Sequence, residues 1–199
     1  MRKSGEQRRE EIVQAVIELA AESNSGQISA QAIADRVGIA QPTVFRHFKN
    51  RDGILEAVAQ WIARNLLGTV NSVATGAGPA DGRLRLLLAR QLSFVASHPG
   101  LPRLLFSERL HEENARLKQA VRTIMDDYTT ILSGLLREGI VDGTFRSDLE
   151  VEQTARLILA MIQGLVMRWS IHDFEFDLPG QADVIWHLLE RALTRDSAQ

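Results

Sequence analysis

The stretch from residue 28 to residue 55 constrains the fold more than any other part of the chain. It predicts a short helix, a glycine turn, a second short helix and the start of a longer one. Ser29 precedes the first of these helices, where its hydroxyl can accept a hydrogen bond from an unpaired backbone amide. Gly38 ends that helix, because glycine tolerates the left-handed conformation common at helix ends. Asn50 is placed to cap the longer helix.

The rest of the sequence also favours helices over strands. Apolar residues recur at three- and four-residue spacing, and aromatic residues make up only 6% of the 199 residues. A run rich in glycine, from 75 to 82, predicts a loop. We therefore predict an all-α chain of about nine helices, with an N-terminal three-helix head at 1–55 and a larger C-terminal helical domain at 56–199. The helices are expected near 5–23, 30–37, 41–48, 51–73, 82–97, 101–109, 112–138, 148–171 and 181–194, the eighth with Ser147 or Asp148 as its cap.

The composition disfavours exported and membrane proteins. Cysteine is absent, so neither a disulfide nor a thiolate metal site is expected. Charged residues such as Glu6, Arg8 and Glu10 occupy the region where a secretory signal needs an apolar run. The longest apolar stretch, 157–167, is far shorter than the roughly 20 residues that span a bilayer. We therefore expect a cytoplasmic protein with no membrane partner.

The sequence offers no starting point for catalysis or cofactor binding. It contains no Gly-x-Ser-x-Gly elbow, no phosphate-binding glycine loop and no dinucleotide fingerprint. Outside the 28–55 segment, the histidines share none of the short helical spacings typical of metal ligands: His98, His111, His172 and His187. We expect no catalytic residues, no metal and no cofactor.

The second short helix of the 28–55 segment has an inward and an outward side. Ile39, Val44 and Phe48 can pack inward, which leaves polar residues and a proline facing outward. In the major groove glutamine can pair with adenine, threonine can bond a base or touch a thymine methyl, and proline offers apolar contact. The basic residues that follow suit phosphates, and the dipole of the next helix favours an anion near Arg51.

A helical hairpin that merely packs would not need this outward chemistry. We therefore interpret the segment as a DNA-reading helix-turn-helix, in which the first short helix braces the second. The formal net charge of −2 lends this interpretation little support, although residues 1–55 hold 8 Lys+Arg against 7 Asp+Glu.

The segment resembles the Tet repressor (TetR) family of bacterial transcription regulators over residues 12–55, and the remainder resembles it only in helical plan. The matching residues are Ile33-Ala34, Gly38-Ile39, Phe45, His47-Phe48, Arg51 and Ile54-Leu55. The resemblance implies that the Gln41-Pro42-Thr43 edge contacts bases and that residues around His47 contact phosphates. The predicted DNA-binding residues are Ser29, Gln41, Pro42, Thr43, Phe45, Arg46, His47, Lys49 and Arg51.

Four positions depart from the family pattern. Ala40 stands where Ser or Thr usually caps the reading helix, a deficit of about 1 kcal/mol that tertiary packing must offset. Phe45 can pack as the usual tyrosine does but lacks its hydroxyl, and Arg46 replaces a second aromatic residue. Gln31 stands where the Tet repressor reads a base with arginine. The operator specificity of the Tet repressor therefore cannot be carried over whole to this chain.

The same resemblance implies a homodimeric repressor that binds a pseudo-palindromic DNA operator and releases it when a small-molecule effector enters the C-terminal domain. Wide apolar faces on the last two predicted helices suit a two-fold interface, although a monomeric core would give the same pattern. The alternative is a protein of this family whose C-terminal domain binds a protein partner or no ligand. The residues expected to line an effector pocket are Phe94, Phe106, Met125, Tyr128, Met161, Gln163, Arg168 and Trp169.

Overall fold

The computed structural model describes residues 4–22, 28–106 and 115–194, and every regular element in these ranges is helical. This confirms the predicted all-α class. A π-helical segment, Ala63–Leu67, joins α4 to α5, so the predicted fourth helix is a continuous run of three parts. The α-helices are α1 Gly5–Glu22, α2 Ala30–Val37, α3 Gln41–His47, α4 Arg51–Ile62, α5 Gly68–Ala74, α6 Ala80–Ala96, α7 Gly100–Leu105, α8 Ala115–Val141, α9 Val151–Ile171 and α10 Gln181–Leu193.

The helix ends of the 28–55 segment follow the predicted capping chemistry. The Ser29 hydroxyl accepts from the amide of Ala32 at 3.1 Å, and the Asn50 side chain accepts from the amide of Gly53 at 2.9 Å. Gly38 adopts a φ of +72°, which only glycine reaches without strain. Ala40 provides no side-chain cap for α3. Local side chains therefore fix where α2 and α4 begin, but not where α3 begins.

Two helix starts differ from the predicted positions. The structure begins α9 at Val151, after Glu150, with no capping hydrogen bond from a side chain. The predicted cap Asp148 instead holds the Arg146 guanidinium through both carboxylate oxygens, at 2.7 Å each. Helix α6 begins at Ala80 rather than near residue 82, because Pro79 stands immediately before its first turn. The predicted end near 109 and start near 112 lie outside the described residues.

The chain forms two compact units. The first comprises Met1–Arg64 and His98–Arg122, and the second comprises Asn65–Ser97 and Thr123–Gln199. The predicted division at residue 55 does not follow these units, because all of α4 and the segment carrying α7 belong with the first helices. An apolar helix face in a sequence does not reveal which distant segment covers it.

Helix α1 is the centre of the first unit. It packs against α2, α3, α4 and α7. Because this face of α1 meets four helices, its burial decides how the short helices are arranged. The buried apolar residues of α1 are Ile12, Val13, Ala15, Val16, Ile17 and Ala20.

Helix α7 joins α1 by direct backbone contact. A Cβ atom at Gly100 would lie 1.8 Å from the carbonyl oxygen of Ile17, so only glycine allows this approach. One turn later, Arg103 Nη1 donates a 2.6 Å hydrogen bond to the carbonyl of Ala21. Ala21 is in the last turn of α1, where backbone carbonyls have no partner within the helix. The α7 segment therefore both fits against α1 and satisfies its C-terminal end.

The second unit has an aliphatic core that encloses a few polar groups. Buried leucines of α6 and α8, among them Leu84, Leu88 and Leu132, make up much of it. The Tyr128 hydroxyl donates to Gln91 Oε1, and both side chains are buried. Burial raises the pKa of the Tyr128 phenol above its usual range, so it remains a protonated donor.

Arg83 ties three helices of the second unit together. It is 9% exposed, and one guanidinium nitrogen donates to the carbonyl of Ala74 at the end of α5. Another lies 2.6 Å from the carboxylate of Glu138 on α8. An arginine this enclosed requires such partners, because an unpaired buried charge is costly.

Replacing Gly100 with alanine tests the α1–α7 contact. We expect Gly100→Ala to destabilise the protein by about 1 to 3 kcal/mol in urea unfolding, because the new methyl group must displace backbone. Gly134→Ala is the matched control: a Cβ at Gly134, inside α8, meets no atom within 4 Å. That control should be neutral or stabilising by up to about 1 kcal/mol. Equal stability of the two variants would contradict the contact.

Alkaline titration tests the buried state of Tyr128. The chain has a single tyrosine, so tyrosinate absorbance reports on this residue alone. Because the folded-state pKa is raised above the unfolded value of 10.0, its contribution to stability is complete below that pH and is lost above it. We expect tyrosinate to appear only together with unfolding. Ionisation near pH 10 without loss of helical circular dichroism would refute this expectation.

Candidate nucleic-acid interface

The reading helix α3 is held by two buried residues. Val44 is fully buried and Phe48 is 3% exposed. The outward side carries Gln41 and Pro42, which are exposed, and Thr43, which is half-buried. Because α3 has no side-chain cap and only seven residues, it depends on this packing rather than on its own helical tendency. Three different chemistries therefore face outward from a short, fixed helix.

The middle of α3 presents an aromatic ring and a cation. Phe45 is 49% exposed, so half of its side chain faces outward instead of packing. Arg46 is exposed, and its Nη2 donates to the Thr43 hydroxyl at 3.1 Å. This hydrogen bond holds the guanidinium beside the Gln41-Pro42-Thr43 edge, and the guanidinium has further N–H donors, as a predicted phosphate contact requires. Ser29, by contrast, uses its hydroxyl to cap α2.

The end of α3 is fastened to α1 by an arginine that the sequence did not single out. Arg9 Nη1 donates to the carbonyl of His47, and the guanidinium lies 4.3 Å from the centroid of the Phe48 ring. His47 is half-buried beside it, followed by the exposed side chain of Lys49. The half-buried Arg51 begins α4. Arg9 is one of five charged residues at the start of α1, so its sequence position does not distinguish it as the residue that contacts α3.

Other polar groups of the head have structural partners. Gln31 Nε2 donates to Asp35 Oδ1 at 2.7 Å, so this side chain is held along α2. Arg36 reaches Glu22 at 2.5 Å and Glu18 at 3.2 Å, and these hydrogen bonds raise its pKa, the one to Glu22 most. Arg36 therefore joins α2 to α1.

The predicted effector-pocket residues differ in burial and fall in both compact units of the chain. Tyr128 and Trp169 are buried, and the Trp169 indole donates to the carbonyl of Phe176 at 2.9 Å. Phe106 belongs to the first unit, whereas the others belong to the second. Within the second unit, three of the predicted residues are half-buried and two are exposed: Phe94, Met125 and Gln163, then Met161 and Arg168.

The second unit also buries two uncharged polar residues that were not predicted from the sequence. Gln91 is 5% exposed and bonds Tyr128, and Ser133 is 3% exposed. Within residues 4–22, 28–106 and 115–194, the Ser133 hydroxyl forms no hydrogen bond. A polar residue at helical spacing among leucines, such as Gln91, was the available signal.

The histidines do not form a metal site in the part of the chain that the structure describes, and no three acidic or metal-ligating side chains group there. His98 lies edge-on to Trp61 with ring centroids 5.0 Å apart, and His187 Nδ1 lies 2.6 Å from the carbonyl of Asp183. His111 lies outside the described residues. No described helix is long and apolar enough to cross a bilayer.

A short uncapped helix with an outward Gln-Pro-Thr edge, braced by α1 and α2 and followed by cations, defines a helix-turn-helix DNA-binding protein. Residues 12–58 match the family described as bacterial regulatory proteins, tetR family, and residues 58–192 match the YsiA-like protein C-terminal region of these regulators. The chain belongs to the TetR family. The predicted resemblance and the prediction of a DNA-binding transcriptional regulator are both confirmed.

Similar proteins cover nearly the whole chain. The nucleoid occlusion factor SlmA of Vibrio cholerae is 29% identical over 184 residues, spanning 92% of this chain and 93% of that protein. The fatty acid metabolism regulator protein of Bacillus subtilis is 29% identical over 184 residues, spanning 90% and 92%. The structure of FadR from Bacillus subtilis in complex with stearoyl-CoA superimposes with a TM-score of 0.78 at 26% identity, spanning 90% and 96%.

Substitutions on and beside α3 separate base reading from phosphate binding. Gln41→Ala should weaken binding by about 1 to 3 kcal/mol on the selected operator and little on scrambled DNA, because it removes a base contact. Arg51→Ala should weaken binding to both duplexes and lower the salt dependence. Fluorescence anisotropy over a salt series measures both effects. A uniform loss for Gln41→Ala would exclude base reading by this residue.

Proposed function

We propose that the protein is a repressor that binds a pseudo-palindromic operator as a homodimer and leaves it when a long-chain fatty acyl thioester enters the second unit. The observation that carries this proposal is the likeness, over 90% of the chain, to a FadR structure that contains stearoyl-CoA. The proposal assigns DNA binding to the first unit and effector binding to the second. It involves no catalytic step and places the protein with the DNA in the cytoplasm.

The interior of the second unit has the chemistry that an acyl chain requires. Its buried residues are mostly aliphatic, and each buried methylene of a ligand is worth about 0.8 kcal/mol. The buried Gln91–Tyr128 pair and the Ser133 hydroxyl offer polar groups that could meet a thioester carbonyl. A ligand with a long apolar chain and one polar end suits this combination.

The outer face of α9 supports the homodimer. Leu157, Met161 and Ile171 are 68%, 38% and 68% exposed, and they follow one another at multiples of helical spacing. On α10, Val184 and Leu188 are 55% and 61% exposed and lie four residues apart. Such apolar stripes on two long helices suit a two-fold interface with a second copy. Two copies also supply the second reading helix that a specific operator needs.

A second candidate is a DNA-bound regulator whose second unit binds a protein partner or no ligand. The specific observation in its favour is the 29% identity to SlmA, a nucleoid occlusion factor, over a span similar to that shared with the fatty acid regulator. The two candidates share the DNA-binding head and differ only in what the second unit recognises.

Acyl-CoA titration of a protein–DNA complex distinguishes the two candidates. With a duplex selected from a random pool by the protein itself, stearoyl-CoA should release DNA while free CoA does not. Shorter acyl chains should need higher concentrations, by up to roughly fourfold per methylene lost. Operator DNA should weaken stearoyl-CoA binding by the same factor as stearoyl-CoA weakens DNA binding. DNA affinity unchanged by acyl-CoA of every chain length would favour the second candidate.

A paired variant probes the polar groups without opening a cavity. Gln91→Leu combined with Tyr128→Phe replaces both partners of the buried hydrogen bond, an exchange that can be nearly neutral for stability. We expect this variant to bind DNA normally and to respond to stearoyl-CoA up to about tenfold less sensitively. Val141→Gln, at the exposed end of α8 and outside the apolar stripes of α9 and α10, is the control for a change outside the interior.

A further inference from the structure

An open groove of about 550 Å³ lies in the first unit beside the DNA-reading helix. Its walls are the turn between α3 and α4, one face of α4, one side chain of α1 and the first residues of α8. The charged and titratable side chains that line it are Arg9, His47, Lys49, Asp52, Glu56 and Arg116. Arg116 falls in the predicted C-terminal domain, 56–199, but it belongs to the same compact unit as α3.

The cations of this groove differ in how far they are already engaged. Arg9 is held by the carbonyl of His47 and the ring of Phe48. Lys49 and Arg116 are exposed, and neither has a hydrogen bond or ion pair with any residue in 4–22, 28–106 or 115–194. Asp52 and Glu56 are the acidic side chains among the lining residues. Lys49 and Arg116 therefore equal the two carboxylates in number. With Arg9 included, the side chains that line the groove carry a net positive charge.

We propose that Arg116, together with Lys49, binds the phosphate backbone of operator DNA, extending the interface beyond the helix-turn-helix. The groove is continuous with that interface, because it is lined by His47, the last residue of α3, and by Lys49, which follows α3. A guanidinium suits phosphate because it can donate two parallel hydrogen bonds. Asp52 lies in the first turn of α4, where the helix dipole already stabilises a carboxylate, so Asp52 does not need these cations as partners. Glu56, further along α4, leaves one carboxylate against the two exposed cations.

The proposal rests on DNA binding by α3 but not on any effector. It predicts that Arg116 adds affinity without adding base specificity, because a phosphate contact carries no sequence information directly. It also places a DNA contact on α8, the helix that carries Tyr128 in the second unit.

Lys118 supplies a matched control on the same helix. Lys118 is exposed and basic, lies two residues after Arg116, and does not line the groove. Arg116→Ala and Lys118→Ala thus remove one positive charge each from the start of α8. The probes are the duplex selected by the wild-type protein and a scrambled duplex of equal length, each measured over a salt series.

We expect Arg116→Ala to weaken binding to both duplexes and to lower the slope of log affinity against log salt by about 0.9. A slope lower by this amount means that, at about 0.1 M salt, Arg116→Ala should bind DNA up to roughly eightfold more weakly than the wild type. The difference should disappear on extrapolation to about 1 M salt. Lys118→Ala should leave the slope unchanged. Arg116→Lys should restore most of the slope, because lysine also binds phosphate as a point charge. Arg51→Ala, which lies within the helix-turn-helix, serves as the positive reference.

The outcomes separate this proposal from DNA binding itself. If Arg51→Ala lowers the slope and Arg116→Ala does not, the groove contact is refuted while the helix-turn-helix interface stands. Equal effects of Arg116→Ala and Lys118→Ala would also refute it, since they would reflect general charge. Unchanged DNA binding combined with weaker binding of poly-glutamate would assign the groove to an acidic polypeptide instead. Urea unfolding of each variant confirms that the slopes are compared between folded proteins.

Discussion

The packing of α1 is the interaction on which the DNA-binding unit depends. One apolar face of this helix meets α2, α3, α4 and α7, and its polar Arg9 fixes the end of the reading helix. Helix α3 is seven residues long and uncapped, so it cannot hold its own geometry. The position of the Gln-Pro-Thr edge is therefore determined by packing against α1 and α2 rather than by α3 itself.

The chain could be divided into helices from its sequence because the signals for helix ends are local. Ser29, Gly38 and Asn50 each act within three residues of their own position. The contacts that fix the unit are not local: Arg103 bonds the carbonyl of Ala21, 82 residues earlier, and Gly100 approaches Ile17. Pairings of this kind leave no period in the sequence, which is why the division at residue 55 did not match the compact units.

The candidate site was predictable to different degrees in the two units. On α3 the outward chemistry could be read because the inward positions, Val44 and Phe48, were correctly identified. On α9 two apolar faces exist, one turned to the core at Trp169 and one exposed at Met161. Helical spacing in the sequence separates the two faces, but it does not show which face packs against the rest of the chain and which stays exposed. The buried Ser133 had no distinguishing pattern at all.

The residues that anchor α3 are different from the residues that α3 exposes. Val44 and Phe48 carry the packing, whereas Gln41 and Arg46 are exposed and contribute little to it. Exposed positions away from caps and cores usually change stability by no more than about 0.5 kcal/mol. The residues that α3 displays can therefore change while the packing that holds the head is retained, so one scaffold can carry many different outward surfaces.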